Sequence, residues 1–553
     1  MRFMLLAAII TLTALTALAV PPPPRLMDAV DAGGFDYESY RASYAEARAG
    51  GVDSPSPIYG PGNPPFGEAG AIGSTDAGMN VLILLVDFSD NQAQTPAVYF
   101  DSMGYARDSL SLSNYYDQVS FGQIDIVTVD YPSSTGWQRA PETYDYYVGD
   151  NYGWGSYPGN SQGMVEDLCQ LVDPFVDFTD YDNDSDGYVD GVNVIYAGTF
   201  DGTPQTIWPH AWSLPGGGRQ FDGVTVYTFS VQNEFEYVPG DKPANTICHE
   251  FGHVMGLPDL YDYDYDSNGI GDWGLMSFGV HNDGGWSPAH LSAWSRVSLG
   301  IVSPVNVTSN GWYDVPAVEE SGVIFRLWTD GGSSSQYFLL ENRRPIGYDA
   351  ALPGCGILIW HVDDTQNSNN NQWYPGYTSY GHYRVALEQA DGLWQMEQGQ
   401  NYGDLNDPFP GSPSQNADRF DCTTVPDSRD YNFQETLVEV SSIPQSADTV
   451  SVYIAVSQTG IGTAPGSLPE GTLSLARNPV AGIASFSLSH QGGRASLRIF
   501  DMTGRVMHTV ADTELPAGQY QFSWDPGTLS PGVYFAMYDG PGTRAEASFV
   551  ILD

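Results

Sequence analysis

The sequence predicts an α/β (α+β) domain with a mixed sheet and a metal-binding helix, followed by an all-β module and a small immunoglobulin-like β-sandwich. Three observations carry this. Unbroken apolar runs, Val81 to Val86 and Val192 to Ala197, are of the kind that fill strands buried on both faces, and residues 160–173 between them place Met164, Val165, Leu168, Leu171 and Val172 at helical spacing. After about Pro304 that spacing fades into short strand patterns, such as Tyr337-Phe338-Leu339-Leu340-Glu341 and Gly356-Ile357-Leu358-Ile359-Trp360, set apart by Gly, Pro and Asn clusters. The chain ends in strand-and-turn texture around Ala495 to Phe500 and Met502-Thr503-Gly504, as in a small sandwich.

The elements are bounded by changes of texture. Arg2, an apolar stretch from Phe3 to Leu18, and Ala17-Leu18-Ala19 make residues 1–19 a signal peptide cleaved after Ala19, and Pro21 to Pro24 would break a helix that ran on. Residues 20–78 are rich in Pro, Gly, Ala and acid with little periodicity and read as a pro-segment or tether unable to form a strong core alone. The first domain then spans 79–304, the β-rich domain 305–456, a Gly/Thr/Ser/Pro linker 457–471, and the sandwich 472–553. Beyond the leader no run approaches the roughly 18 apolar residues of a membrane span, so no stable span is expected.

Charge narrows the partners. Asp plus Glu number 67 against 20 Lys plus Arg among 553 residues, for a net charge of −47, and Lys242 is the only lysine. Phosphate binding needs a basic face, so nucleic acid is excluded, and anionic lipid is disfavoured. Part of the acidity is solubility and part invites cations. Outside the cytoplasm Cys169, Cys248, Cys355 and Cys422 can oxidise in three pairings, which the sequence does not choose among; four cysteines in so long a chain are staples at most.

The chemistry sits in His249-Glu250-Phe251-Gly252-His253-Val254-Met255-Gly256-Leu257-Pro258-Asp259. On a helix, positions four apart share a face, so His249 and His253 can aim two imidazole nitrogens at one cation. Glu250 lies about 100° round from His249, within reach of a metal-held water without being a ligand. Gly256 is placed to end the helix in a left-handed cap and Pro258 stiffens the return, which brings Asp259 back as a third ligand. Three protein ligands leave a fourth position for water, the catalytic rather than the structural pattern for zinc. In Trp273-Gly274-Leu275-Met276-Ser277, Met276 can sit in a tight turn beneath the metal.

This extended motif resembles the metzincin-like immune inhibitor A peptidases of bacteria. The resemblance covers about residues 79–455, through Val81 to Asp87, Ser113-Asn114-Tyr115-Tyr116, Ser120-Phe121-Gly122, Trp208-Pro209-His210, Leu257 to Asp262, Leu352 to Gly356 and Ala390-Asp391-Gly392. It implies a zincin-type catalytic domain with one catalytic Zn²⁺ on His249, His253 and Asp259, Glu250 as general base and acid, Met276 as the Met-turn residue, and protein or peptide substrates. Many metzincins place a tyrosine after that turn, whereas none stands between Met276 and Tyr313, so His281 and His210 are the candidate oxyanion stabilisers. The pro-segment holds no cysteine, so a thiolate cannot keep the metal latent; Asp28, Asp31 and Asp36 are acidic candidates for that role.

Asp182, Asp184 and Asp186 followed by Gly187 and Asp190 place oxygens at alternate positions before a sharp turn, as hard Ca²⁺ requires. Asp264, Asp266, Asn268 and Asp272 repeat that spacing and form the second candidate, so one or two structural Ca²⁺ ions are expected. At the other end, Asn478-Pro479, Phe500-Asp501, Gly504-Arg505-Val506, Trp524 and Gly532-Val533-Tyr534-Phe535 resemble the sorting domains of the type nine secretion system, which implies a link to that machinery. The expected protein is a secreted zinc endopeptidase made as a precursor, extracellular or held at the cell surface. The rival reading is a calcium-stabilised extracellular binding protein with an inactive zinc site.

Overall fold

A computed structural model of the chain describes residues 21–23, 26, 37–49, 52, 78–412, 417–457, 473–475, 484–524, 526 and 529–551. The signal peptide, Asp28, Asp31, Asp36 and the linker beyond Ser457 lie outside the described residues. The chain divides into two compact units, one of residues up to Ser309 with Asp314–Val456, the other of Asn310–Tyr313 with Ser457–Asp553.

In the first unit, helix α1 (Tyr37–Ala49) precedes strand β1 (Leu82–Asp87), helix α2 (Leu112–Val119), β2 (Trp137–Arg139), α3 (Ser161–Val172), β3 (Val192–Tyr196), β4 (His210–Ser213), β5 (Thr228–Asn233) and helix α4 (Asn245–Val254). The sheet runs β2-β1-β3-β5-β4, parallel except for the edge strand β4, which is antiparallel to β5. Every residue of β1 is buried. Leu82, Leu84 and Val86 enter one core with Met164, Val165 and Leu168 of α3, while Val81, Ile83 and Leu85 enter a second with Tyr115 and Tyr116 of α2 and Ile247, Phe251 and Val254 of α4. A strand covered on both faces by helices explains the unbroken apolar run, each buried aliphatic contributing about 1.5–3 kcal/mol.

The second core does not stop at residue 304. It continues through Leu339, Leu358, Trp360, Val362, Val385 and Leu387. These residues belong to a five-stranded sheet ordered Val305–Asn306, Phe325–Leu327, Gln336–Arg343, Gly356–Asp363, Val385–Leu387. The β-rich region is therefore part of one compact unit with the α/β region, and a fade in helical periodicity marks a change of architecture inside a shared core. Its buried join is ionic as well as apolar. Arg343 reaches Asp349 (2.6 Å), Glu341 (3.3 Å) and Glu319 (3.4 Å), and donates to the Trp273 carbonyl at 3.3 Å; Arg296 meets Glu341 at 3.4 Å, both arginines being fully buried.

The N-terminal stretch also holds a surprise. α1 docks by Tyr40, Tyr44 and Ala47, spaced along one face: Tyr40 stacks on Trp208 at 4.2 Å, and Arg48 of the same helix lies over Tyr263 at 3.6 Å. Leu26 and Val52 are buried in the same core. The described residues of this stretch join the core of the α/β region, so its weak periodicity conceals a helix. All four cysteines are unpaired thiols, Cys169 and Cys248 within the core.

In the second unit the described strands form one hydrogen-bonded sheet, ordered Leu473–Leu475, Ala484–Asp501, Gly532–Gly540, Thr543–Ile551, with Val506–Trp524 paired along Ala484–Asp501. Alternate residues Phe486, Leu488, Leu497, Ile499, Tyr534, Ala536, Tyr538 and Phe549 build its core.

Two consequences are measurable. Arg343→Met strands the buried Asp349 and Glu319 and leaves Glu341 to Arg296 alone, so a stability loss of about 3–5 kcal/mol is expected in thermal or denaturant unfolding, whereas a loss under ~1 kcal/mol would show that the network is not structural. His210 is fully buried on β4, with Nδ1 2.6 Å from the Trp208 carbonyl and Nε2 2.8 Å from Ser161 Oγ. Burial pushes its pKa down to about 4 against the opposing Trp208 hydrogen bond. An unfolded histidine titrates near ~6.5, so between there and about 4 the unfolded chain binds a proton the folded chain does not, and stability falls as pH falls. His210→Gln is expected to lose about 2–3 kcal/mol less than wild type between pH ~7 and ~4; parallel stability profiles would contradict this.

Candidate metal centre

All ten residues of α4 are buried. Ile247, Cys248, Phe251 and Val254 hold it to the core, Tyr116 Oη donates to the Cys248 carbonyl at 2.7 Å, and Lys242, just before the helix, donates to Asn233 Oδ1 (2.8 Å) and Thr246 Oγ1 (3.2 Å) while pairing with Glu236. The single lysine thus pins the helix start to the end of β5, a role its sequence position did not reveal. Gly256 takes φ +91° after the helix, Leu257 N–H returns to the Gly252 carbonyl at 2.9 Å, and the chain reverses as the glycine allows.

The reversal brings three groups together. His249 Nε2 lies 3.1 Å from His253 Nε2 and 3.1 Å from Asp259 Oδ1, and His253 Nε2 is 3.5 Å from the same oxygen. Tetrahedral ligands on bonds of ~2.0–2.1 Å stand roughly 3.3 Å apart, so these separations fit zinc. Each imidazole has its other nitrogen fixed, His249 Nδ1 on the Leu275 carbonyl and His253 Nδ1 on the Leu257 carbonyl, both at 2.8 Å. With Nδ1–H donating, the Nε2 lone pairs face each other, a tautomer suited to a metal and to little else. Asp259 is fully buried and neither carboxylate oxygen has a hydrogen-bond donor. The three form a candidate zinc-binding triad. Glu250, also fully buried, lies on the same helix beside His249.

Met276 is buried beneath α4, and a Cβ on Gly252 would meet its sulfur at 2.6 Å. The glycine inside the helix motif is thus the seat of Met276, and Leu260 N–H bonds the Met276 carbonyl at 2.7 Å, tying the turn to the extended stretch that carries Asp259. His281 is half-buried, and its Nε2 is 2.9 Å from the Pro21 carbonyl. A cavity of about 310 Å³ lies here, lined by Pro21, Trp208, Lys242, Asn245, Thr246 and His281. His210, expected as an alternative oxyanion donor, is instead a core residue with both ring nitrogens engaged.

The acidic loops are placed as follows. Asp182, Asp184 and Asp186 present oxygens within 4.8 Å of one another. Asp182 also accepts the Asp186 and Gly187 N–H groups, both at 3.0 Å. Asp190 turns to Asn183, accepting its N–H at 2.7 Å and its amide at 2.8 Å, and burial pushes the Asp190 pKa up to about 7. In the second loop Asp264 and Asp266 group with Asp262, and Asp272 is not in that group. Asn268 is drawn off by the Asn401 carbonyl at 2.8 Å, and Asp272 lies in the short turn Gly271–Trp273. Alternation of acids continues back to Asp262, two residues before the stretch the spacing suggests. A fourth group, Asp391, Asp404 and Asp407, has members too far apart in sequence to announce itself.

Comparison with known proteins agrees with this geometry. Residues 85–299 match the family described as Immune inhibitor A peptidase M6, catalytic domain. The chain is similar to the pre-pro-metalloprotease PrtV of Vibrio cholerae serotype O1, at 25% identity over 40% of this chain and 29% of that one. It is also similar to immune inhibitor A of Bacillus thuringiensis subsp. alesti, at 27% identity over 36% of each. The chain thus spans about a third of the length of these relatives. A solved structure of PorZ, a surface component of the type-IX secretion system of Porphyromonas gingivalis, is matched at 14% identity over 42% of this chain and 37% of that one, with a TM-score of 0.13. Among the described residues no helix is long and apolar enough to cross a membrane. Residues 85–299 are accordingly similar to the M6 peptidase catalytic domain, and the candidate zinc triad lies within that stretch.

Proposed function

We propose that the chain is a secreted zinc-dependent endopeptidase made as a precursor. The observation that carries this is the buried trio His249, His253 and Asp259, with opposed Nε2 atoms and a donor-free carboxylate, on the same helix and turn as Glu250. Zinc held by these three supplies a Lewis acid that makes water nucleophilic near neutral pH and polarises a scissile carbonyl. Glu250 takes the proton of the attacking water and returns it to the leaving nitrogen. The carbonyls of Leu275 and Leu257 keep both imidazoles in the ligating tautomer. His281 already holds a main-chain carbonyl, that of Pro21, and in the mature form the same Nε2–H receives a substrate carbonyl.

Pro21 and Pro23 lining the cavity beside α4, with α1 seated on Trp208, support a latent form from which residues 20–78 are removed. The Asp182 and Asp262 loops are read as structural Ca²⁺ sites, the second ordering the stretch that follows Asp259. The second unit is read as an immunoglobulin-like sorting module, on its sequence motifs and its alternating core.

Casein cleavage by the processed full protein is expected to fall at least ~10³-fold in Glu250→Ala and to vanish on zinc chelation, returning with added Zn²⁺. Activity unaltered by Glu250→Ala would sink the peptidase reading and favour a binding protein. Deletion of residues 472–553 is expected to retain the protein inside the producing cell's envelope; unchanged appearance in the medium would remove the sorting role.

A further inference from the structure

We propose that Asp391, Asp404 and Asp407 form a Ca²⁺ site that clips the segment 391–407 of the β-rich region onto the turn beneath α4. None of these residues belongs to the two acidic loops above. Each presents a carboxylate oxygen within 4.8 Å of the other two. Asp407 is fully buried; its Oδ2 accepts the Asp404 N–H at 2.7 Å and the Trp273 indole N–H at 3.3 Å, while its Oδ1, also buried, has no donor. A buried carboxylate oxygen without a donor, on a residue grouped with two further carboxylates, is unfavourable unless a cation completes it. No arginine or lysine forms an ion pair with the three among the described residues. The donors are all hard oxygens, with no histidine or cysteine in the cluster, which selects Ca²⁺ over zinc.

The surrounding backbone shows what such an ion would hold. Asn268 N–H bonds the Met396 carbonyl at 2.9 Å and Asp272 N–H bonds the Tyr402 carbonyl at 2.7 Å. Gly403, at φ +118°, lets the Trp273 indole approach where a Cβ would lie 2.5 Å from its nitrogen. The segment is therefore fastened to residues 268–273, just ahead of Met276. A cation joining Asp391 to Asp404 and Asp407 closes that segment at both ends and braces the turn on which the zinc helix rests.

The test uses the zinc-loaded full chain carrying Glu250→Ala, which prevents self-digestion, in calcium-stripped buffer. Bound Ca²⁺ per chain and the Ca²⁺-induced rise in Tm are compared with the same chain carrying D391N and D404N, and with an Asp184→Asn control. The double substitution is expected to remove one Ca²⁺ and to shrink the Tm rise, without lowering Tm in the absence of calcium. An unchanged Ca²⁺ count and an unchanged Tm rise would overturn the site. Should the double variant fold poorly, Tb³⁺ emission sensitised by Trp273 can be followed in the milder Asp391→Asn. At least tenfold weaker Tb³⁺ binding is expected there, and equal binding would overturn the proposal.

Discussion

Two imidazole nitrogens and a carboxylate oxygen held within 3.5 Å of one another, out of water, repel or fail to pair unless a cation joins them. Much of the first unit serves to keep that arrangement from relaxing. The apolar side of α4 is packed against β1 and α2, its start is pinned by Lys242, and its end is turned by Gly256 so that Asp259 returns. The carbonyls of Leu257 and Leu275 then fix both rings. One of these comes from the reversal after the helix and the other from the Met276 turn, so ligand orientation depends on two loops that the rest of the fold must hold.

The β-rich region is the means by which the second loop is held. Arg343, buried among Asp349, Glu341 and Glu319, reaches across to the Trp273 carbonyl, and the 391–407 segment meets the same turn from another direction. A region expected as a separate module thus behaves as a buttress. That explains why apolar residues from Val81 to Met396 share one core.

The helix, its cap and the third member of the candidate triad were legible in sequence because each depends on local spacing: i to i+4 for the histidines, a glycine for positive φ, and a short return to Asp259. The buried strands were legible for a similar reason, as unbroken apolar runs. What was hidden depends on pairs remote in sequence. Tyr40 on Trp208, Lys242 with Asn233 and Asp391 with Asp407 join segments whose proximity no local pattern encodes. His210 illustrates the converse, since its sequence neighbourhood resembles a functional motif while its burial between Ser161 and the Trp208 carbonyl makes it a core residue.

In the proposed centre His249, His253 and Asp259 together hold zinc with one position left for water. X-ray absorption at the zinc edge of the full chain carrying Glu250→Ala tests it without requiring turnover. The account predicts two imidazoles and oxygen ligands at ~2.0–2.2 Å, with one imidazole lost in His253→Ala. Sulfur at ~2.3 Å, or a coordination shell unaltered by His253→Ala, would contradict it.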